Sequence, residues 1–206
     1  MLCTALLPSS TIPKRFAPLM LQISRAGQAD QTINKSRFIA VADYCADERE
    51  VAQFLRGLAG QHGHAHHLAF AFRLMQGRSI VERSSDAGEP TGTAGMPILQ
   101  HLHGRDLVNC CVAVVRYYGG INLGTGGLVR AYGGTARLAL DAAQTAPYVE
   151  MTRLQLDIDY HRLDLLLRDI AKLGGEVLDK QFGEHISILA NIPADQAAGL
   201  AGRYRR

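Results

Sequence analysis

An apolar segment that runs into a glycine-rich turn places the strongest constraint on the fold. Residues 109–117 read NCCVAVVRY, and five glycines fall within residues 119–127. An almost continuous apolar run predicts a strand buried on both faces at the centre of a sheet. Apolar side chains then recur at helical spacing, so we predict that Thr125 caps a long helix. The centre of the fold is therefore predicted to be a buried strand that passes through glycines into a helix.

The periodicities on either side of this segment predict an α+β protein. Residues 37–43 alternate as a strand does, and Asp47 is expected to cap a helix that ends at Gly60. Residues 67–73 and 79–83 are predicted to form a hairpin, in which Leu68, Phe70 and Phe72 share one face, and Pro97 to open a short helix.

The N-terminal stretch, residues 1–33, shows no sustained period and contains Pro8, Pro13 and Pro18. We therefore predict a partly irregular leader, with the fold beginning near Lys35.

A break at Ala146-Pro147 predicts a domain boundary. Beyond it, strands are predicted over residues 153–159, 176–182 and 185–192, with helices over 160–173 and 193–204. The order β-α-β-β-α is that of a ferredoxin-like domain without its last strand. We predict a leader over residues 1–33, a larger domain over 34–146 and a ferredoxin-like domain over 148–206.

Charge and cysteine content limit the class of protein. Residues 1–147 hold 14 Lys/Arg against 10 Asp/Glu, and residues 148–206 hold 8 against 9. The surplus permits a local phosphate-binding surface without requiring one. The four cysteines show no CxxC spacing and no apolar run approaches the length of a membrane helix. We expect a cytoplasmic protein with reduced core thiols, no membrane segment and no cofactor.

The glycine-rich turn is the first candidate binding site. Glycines let a ligand approach the backbone, and free N–H groups at a helix N-terminus favour an anion, so the turn suits a phosphate or a carboxylate. No Gly-Lys-Ser/Thr follows and the dinucleotide-binding pattern is absent, which disfavours nucleotide hydrolysis. The alternative is that the glycines only make a tight turn and let the helix pack closely. The nearby Arg116 and Arg130 favour anion contact, which would involve Gly119, Gly120, Gly124, Thr125, Gly126 and Gly127.

Asp86 and Glu89 are weak catalytic candidates in a loop rich in Gly, Ser and Pro. They could act as an acid–base pair or bind a divalent ion. Two loop carboxylates more often make turn hydrogen bonds, and no order of nucleophile and base is visible beside them. We therefore predict a structural use for both.

The histidine run is a weak metal candidate, formed by His64, His66 and His67. A zinc site needs three or four well-placed ligands, and no cysteine or HExxH helix completes this one. A loop imidazole could also stack on a nucleic-acid base, and a plain surface histidine is commoner than either.

Four ordered motifs resemble the IMPACT/YigZ family across about residues 34–145. They are Lys35-Ser36-Arg37-Phe38-Ile39, the histidine run, GEPTGTAG over residues 88–95 after Asp86, and the pair VVRYYGG and LGTGGLVRAYGG over residues 114–120 and 123–134. The region from about residue 148 is similar to the small C-terminal domain of bacterial members. The chain departs from the family at Ala87, where an acidic residue is usual.

The resemblance implies a larger domain like the second domain of a small-subunit ribosomal protein, with its sheet backed by two helices. It implies a second domain like the last domain of elongation factor G. Eukaryotic members are tied to control of translation initiation under amino-acid starvation, a stress response, through competition for a kinase activator. For bacterial members, nucleic-acid binding is an inference from fold and surface.

The leading hypothesis is a non-enzymatic protein that binds RNA or ribosome-associated factors and regulates translation. Phosphate would meet Lys35, Ser36, Arg37, Arg116 and Arg130, and bases would stack on Tyr117, Tyr118 and His66. One alternative is a hydrolase or phosphoryl-handling enzyme that uses Glu89, Asp86 and the histidines. Another is a protein–protein adaptor that sequesters a translation regulator.

Overall fold

A computed structural model describes residues 20–77 and 79–205. It separates the chain into two compact units, and the second begins at Val149. The described part of the first unit contains seven strands, numbered in chain order: β1 (Leu21–Arg25), β2 (Gly27–Ile33), β3 (Ser36–Tyr44), β4 (His67–Gln76), β5 (Ser79–Ser85), β6 (Cys110–Tyr117) and β7 (Gln144–Pro147). Its helices are α1 (Glu48–Gln61), α2 (Gly95–Gly104) and α3 (Gly124–Ala142).

Five of these strands form one antiparallel sheet in the order β2-β3-β6-β4-β5. The central strand is β6, in which every residue before Tyr117 is buried. The predicted central strand is thereby confirmed.

Helices cover both faces of this sheet. Side chains such as Ala40, Ala71 and Val112 pack in one core cluster with residues of α2 and α3. On the other face, Val51 of α1 packs with Phe72. Helices α2 and α3 therefore lie on one face of the sheet, and α1 lies on the opposite face.

The fold begins before Lys35, which corrects the predicted start: strands β1 and β2 both precede that residue. β1 pairs with β7, and β2 pairs with β3 at the edge of the sheet. Both β1 and β2 lie within residues 1–33, which were predicted to be a partly irregular leader. The short β1 finds its partner far along the chain, and the sequence of β2, GQADQTI, is mostly polar. Residues 1–19, which include the three prolines, lie outside the described residues.

The second unit contains β8 (Met151–Ile158), α4 (Leu163–Lys172), β9 (Glu176–Phe182), β10 (Ile186–Pro193) and α5 (Ala194–Tyr204). Its strands form an antiparallel sheet in the order β8-β10-β9. Alternate residues of β10 are buried, and Ile188 packs in one cluster with Leu166 of α4 and Leu200 of α5. The β-α-β-β-α order is the predicted one.

Two further expectations bear on the class of protein. Cys45, Cys110 and Cys111 are buried free thiols, and burial raises the pKa of Cys45 and of Cys110 to about 12. This agrees with the prediction of core thiols, although Cys3 lies outside the described residues. Among the described residues, no helix has the length and hydropathy needed to cross a membrane.

Candidate binding cleft

Three loops that are distant in the sequence meet at one cleft of about 510 Å³. They are the histidine loop before β4, the acidic loop between β5 and α2, and the glycine-rich turn between β6 and α3. β4 and β6 are neighbours, and His67 lies opposite Arg116 in their register. The cleft is lined by His66, His67, Glu89, Pro90, Arg116, Tyr118, Asn122, Leu123, Gly124, Thr125 and Leu128. The histidine, acidic and glycine-rich motifs therefore line one cleft.

A buried ion pair lies in the wall of the cleft. Arg116 Nη1 donates to Glu89 Oε1 at 2.5 Å, and the two side chains are only 6% and 4% exposed. Tyr132 donates its hydroxyl proton to the same oxygen at 2.7 Å, and His67 Nε2 lies 3.7 Å from it. Burial, with Glu89 beside it, raises the pKa of Tyr132, which keeps this hydroxyl protonated as a donor. Glu89 Oε2 accepts no hydrogen bond from any described residue.

The guanidinium of Arg116 is held on several sides. Its Nη2 donates to Ser36 Oγ at 3.3 Å, and its Cζ lies 5.4 Å from the ring centre of Phe38 and 5.2 Å from that of Tyr118. Arg116 is 5% exposed as a residue. The expectation that Arg116 meets a phosphate at the surface needs correction, because burial and the ion pair give it a positioning role.

Asp86 organises the acidic loop. Its carboxylate accepts hydrogen bonds from the amides of Gly92 at 2.8 Å, Ala94 at 2.9 Å and Gly95 at 2.8 Å. Burial by itself would raise the pKa of Asp86, but these three donors outweigh it and the net pKa is lowered. The structural role predicted for this carboxylate agrees with its contacts.

We expect the pH dependence of stability to report on Asp86. A carboxyl whose pKa is lowered on folding adds stability above its unfolded pKa of about 3.9 and loses it as the pH falls through the folded value. Asp86→Asn should therefore be less stable than the unaltered chain at neutral pH, by about 1–3 kcal/mol. The difference should shrink below about pH 4. Thermal melts between acid and neutral pH measure this, and a difference that stays constant would contradict it.

Ala87 has a structural role at the position where the resemblance implies an acidic residue. Its φ is +49°, which asparagine and aspartate tolerate better than alanine does. His67 Nδ1 lies 2.9 Å from the carbonyl oxygen of Ala87 and donates to it in the matching tautomer. The backbone of residue 87 therefore holds His67 without an acidic side chain.

The glycine-rich turn packs closely at Gly119, as the alternative to anion contact predicted. The amide of Gly119 donates to Ser36 Oγ at 3.2 Å, and that of Tyr118 donates to His66 Nδ1 at 3.2 Å, so these two are satisfied internally. A Cβ at Gly119 would lie 2.0 Å from the carbonyl oxygen of Lys35, which shows that this glycine serves close packing. Gly120 is exposed beyond it, at a φ of +84°.

The start of α3 differs from the prediction. The helix begins at Gly124, so Thr125 lies in its first turn, and the preceding Leu123 supplies no side-chain cap. The first amides of a helix have no acceptor within it. Gly124 and Thr125 also line the cleft, so the start of α3 forms part of its wall.

The remaining predicted site residues lie outside this cleft. Arg37 forms an exposed ion pair with Asp30. The hydroxyl of Tyr117 is hydrogen-bonded to His62 Nδ1 at 2.9 Å. Gly127 and Arg130 line a second cavity of about 310 Å³, which shares Leu123 with the cleft. Exposed positions away from the cleft lining are Lys35, His64 and Gly126. Within the described residues, no group of three or more His, Cys, Asp or Glu side chains could hold a metal ion.

Sequence reasoning missed Tyr132 as a member of the site. Its helical spacing predicted a core position, and its ring is fully buried against Phe38 at 5.3 Å between ring centres. Only its hydroxyl reaches Glu89. No local pattern distinguishes such a tyrosine from an ordinary core residue.

Comparison with known proteins gives consistent matches. The Impact N-terminal domain model matches residues 34–140. The chain is 38% identical over 166 residues to an IMPACT family member of Haemophilus influenzae, covering 79% of this chain and 80% of that protein. It is 32% identical over 174 residues to the IMPACT family member YigZ of Escherichia coli, covering 84% and 85%. A crystal structure of a hypothetical protein is similar with a TM-score of 0.69 and 31% identity, covering 89% of this chain and 90% of that one.

Proposed function

This chain belongs to the IMPACT family, and on that premise we propose that it is a non-enzymatic, cytoplasmic RNA-binding protein that acts in the regulation of translation. The RNA is a single-stranded segment that enters the cleft formed by the three loops. The observation that carries the proposal is the meeting of an exposed aromatic ring with free helix amides in one cleft.

Stacking and anion contacts lie side by side in the cleft. Tyr118 is 39% exposed, and Arg116 lies over its ring at 5.2 Å, which fixes the ring in place. The amides of Gly124 and Thr125 lie at the rim and favour a phosphate. A base stacked on Tyr118 with its phosphate at the start of α3 uses both features.

The position of Glu89 orients the ligand. A buried carboxylate repels phosphate but accepts hydrogen bonds, and Glu89 Oε2 has no partner among the described residues. The base or the ribose, which carry N–H and O–H donors, therefore faces Glu89, while the phosphate stays at the rim. This arrangement suits a nucleotide and disfavours a bare phosphate deep in the cleft.

The second cavity extends the path for a polymer. Leu123 borders both cavities, and the second is lined on its far side by Asn34 and Arg130. Lys35 follows Asn34 at the tip of the β2–β3 turn, and neither Lys35 nor Arg130 has an ion-pair partner among the described residues. Two unpaired cations beside a second cavity suit a neighbouring phosphate of the same strand.

We expect Tyr118→Ala to weaken binding of a single-stranded RNA oligonucleotide about tenfold, because one base-stacking contact contributes about 1–3 kcal/mol. Tyr44→Ala is the matched control, since Tyr44 is similarly exposed, at 42% against 39%, and lies outside the cleft lining. Fluorescence anisotropy titrations measure both dissociation constants.

Salt dependence provides a second readout of the same titration. The affinity should fall as salt rises, and Arg130→Ala should reduce the slope of log K against log salt by about one. RNA binding that ignores salt, or that Tyr118→Ala and Tyr44→Ala reduce equally, would contradict this site.

A further inference from the structure

Among the strands that the structure describes, β8 of the second unit pairs along only one of its two edges. It pairs with β10 on one side, and no described strand lies on its other side. β8 has eight residues, and every second one therefore directs its backbone N–H and C=O groups away from the sheet. Such an edge is a template for pairing with another strand.

The charges along this edge are complementary to themselves. Arg153 and Asp157 lie two positions to either side of Gln155, and all three side chains are exposed. Neither Arg153 nor Asp157 forms an ion pair with a described residue. Edge strands commonly avoid self-association through charges of one sign, which repel those of a second copy. Here the two signs are placed symmetrically.

A two-fold axis through Gln155 brings these charges together. Antiparallel pairing about that axis places Arg153 of each copy opposite Asp157 of the other, on the same face of the sheet. Moving the axis to Leu154 would place Arg153 opposite Gln155 and would lose both charge pairs. The charges therefore specify a register as well as a partner.

The helix-covered face of the edge also matches a second copy. A groove of about 400 Å³ lies between β8 and the end of α5, with Leu154, Leu156 and Ala201 in its lining. In the Gln155-centred register, Leu154 of one copy lies opposite Leu156 of the other. The apolar side chains next to the seam would then cover each other.

We propose that the chain forms a two-fold dimer in which the β8 strands of two copies pair antiparallel about Gln155. The dimer joins two three-stranded sheets into one continuous sheet. It is independent of the RNA cleft, which lies in the first unit.

Sedimentation equilibrium of the full chain tests the proposal. The unaltered chain should dimerise, and Arg153→Asp should weaken the dimer about tenfold, because two attractive pairs become two repulsive ones. Combining Arg153→Asp with Asp157→Arg restores both pairs with their signs exchanged and should recover the affinity. Lys180→Asp makes the same change of charge on the opposite edge strand, β9, and should have no effect.

Disulfide trapping tests the register. Gln155→Cys places a thiol on the two-fold axis and should give a cross-linked dimer on mild oxidation, whereas Lys180→Cys should give none beyond the unaltered chain. A chain that is monomeric at every concentration, a charge swap that fails to recover the dimer, or cross-linking through residue 180 would each overturn the proposal. If the β8 edge pairs only with a different protein, the chain alone would be monomeric at every concentration.

Discussion

Replacing Glu89 with alanine is expected to lower the free energy of unfolding by about 3–5 kcal/mol. The substitution leaves the guanidinium of Arg116, with a side chain only 6% exposed, without its carboxylate partner. Arg116 would retain a 3.3 Å hydrogen bond to the neutral Ser36 hydroxyl. The buried hydroxyl of Tyr132 would lose its acceptor as well. A buried charge and a buried hydroxyl that both lose their partner account for the size of the effect.

Glu82→Ala is the matched control for this prediction. Glu82 also pairs with an arginine, Arg73, at 3.2 Å, and with His103 at 2.8 Å, but its own side chain is 38% exposed. Arg73 is only 12% exposed, yet it would keep the carbonyl oxygen of Leu107 as an acceptor at 3.0 Å. Water replaces such a partner, so the expected cost is about 1 kcal/mol or less. Urea unfolding followed by circular dichroism measures both free energies. Equal losses in the two variants would show that the Glu89 pair is no stronger than a surface pair.

A double substitution separates the effect of leaving Arg116 without a partner from the effect of losing side-chain volume. Glu89→Leu combined with Arg116→Met removes both charges and keeps apolar volume, so it should be more stable than Glu89→Ala alone. RNA binding should still be impaired, because Tyr118 loses the cation that lies over its ring. A double variant that is as unstable as the single one would mean that the charge of Arg116 is not the cause.

Gly119→Ala is expected to destabilise the protein by about 2–4 kcal/mol. The added methyl group would lie 2.0 Å from the carbonyl oxygen of Lys35 and 2.1 Å from its carbonyl carbon. Both are backbone atoms of the turn between β2 and β3, so no side chain can rotate away. Either that turn or the glycine-rich turn has to move, and the hydrogen bond from Gly119 to Ser36 would be strained.

Gly57→Ala shows what the same change does where there is room. Gly57 lies within α1, and a Cβ there would meet nothing within 4 Å. Alanine favours a helix over glycine by about 1 kcal/mol, so this variant should be more stable than the unaltered chain. Opposite signs of the two stability changes, measured by urea unfolding, are the expected result. A neutral Gly119→Ala would show that the two turns do not pack as described.

Membership of the IMPACT family rests on a domain match over residues 34–140 and on relatives that align over most of their length. The binding of RNA rests on the geometry of the cleft and is the proposal that the Tyr118 experiment tests. The likeness of the two domains to ribosomal and elongation-factor domains stays a prediction from the resemblance.

The sequence by itself determined the elements whose signals are local. A continuous apolar run predicted β6, which is buried as expected. Asp47 predicted the start of α1, where its carboxylate accepts a hydrogen bond from the amide of Glu50 at 2.8 Å. Periodicity also predicted the order of the second unit. These succeed because a capping side chain and the spacing of apolar residues act within a few residues of one another.

Only the tertiary structure decided which residues of the separate motifs contact one another in the cleft. Arg116, Glu89 and Tyr132 come from β6, the acidic loop and α3, and nothing near any one of them indicates that the other two surround it. The same holds for β1, which depends on β7 near the end of the first unit. Pairing across long sequence separations depends on where the whole sheet places its strands. Arg116, which was predicted to contact phosphate, is instead buried and supports the cleft from within.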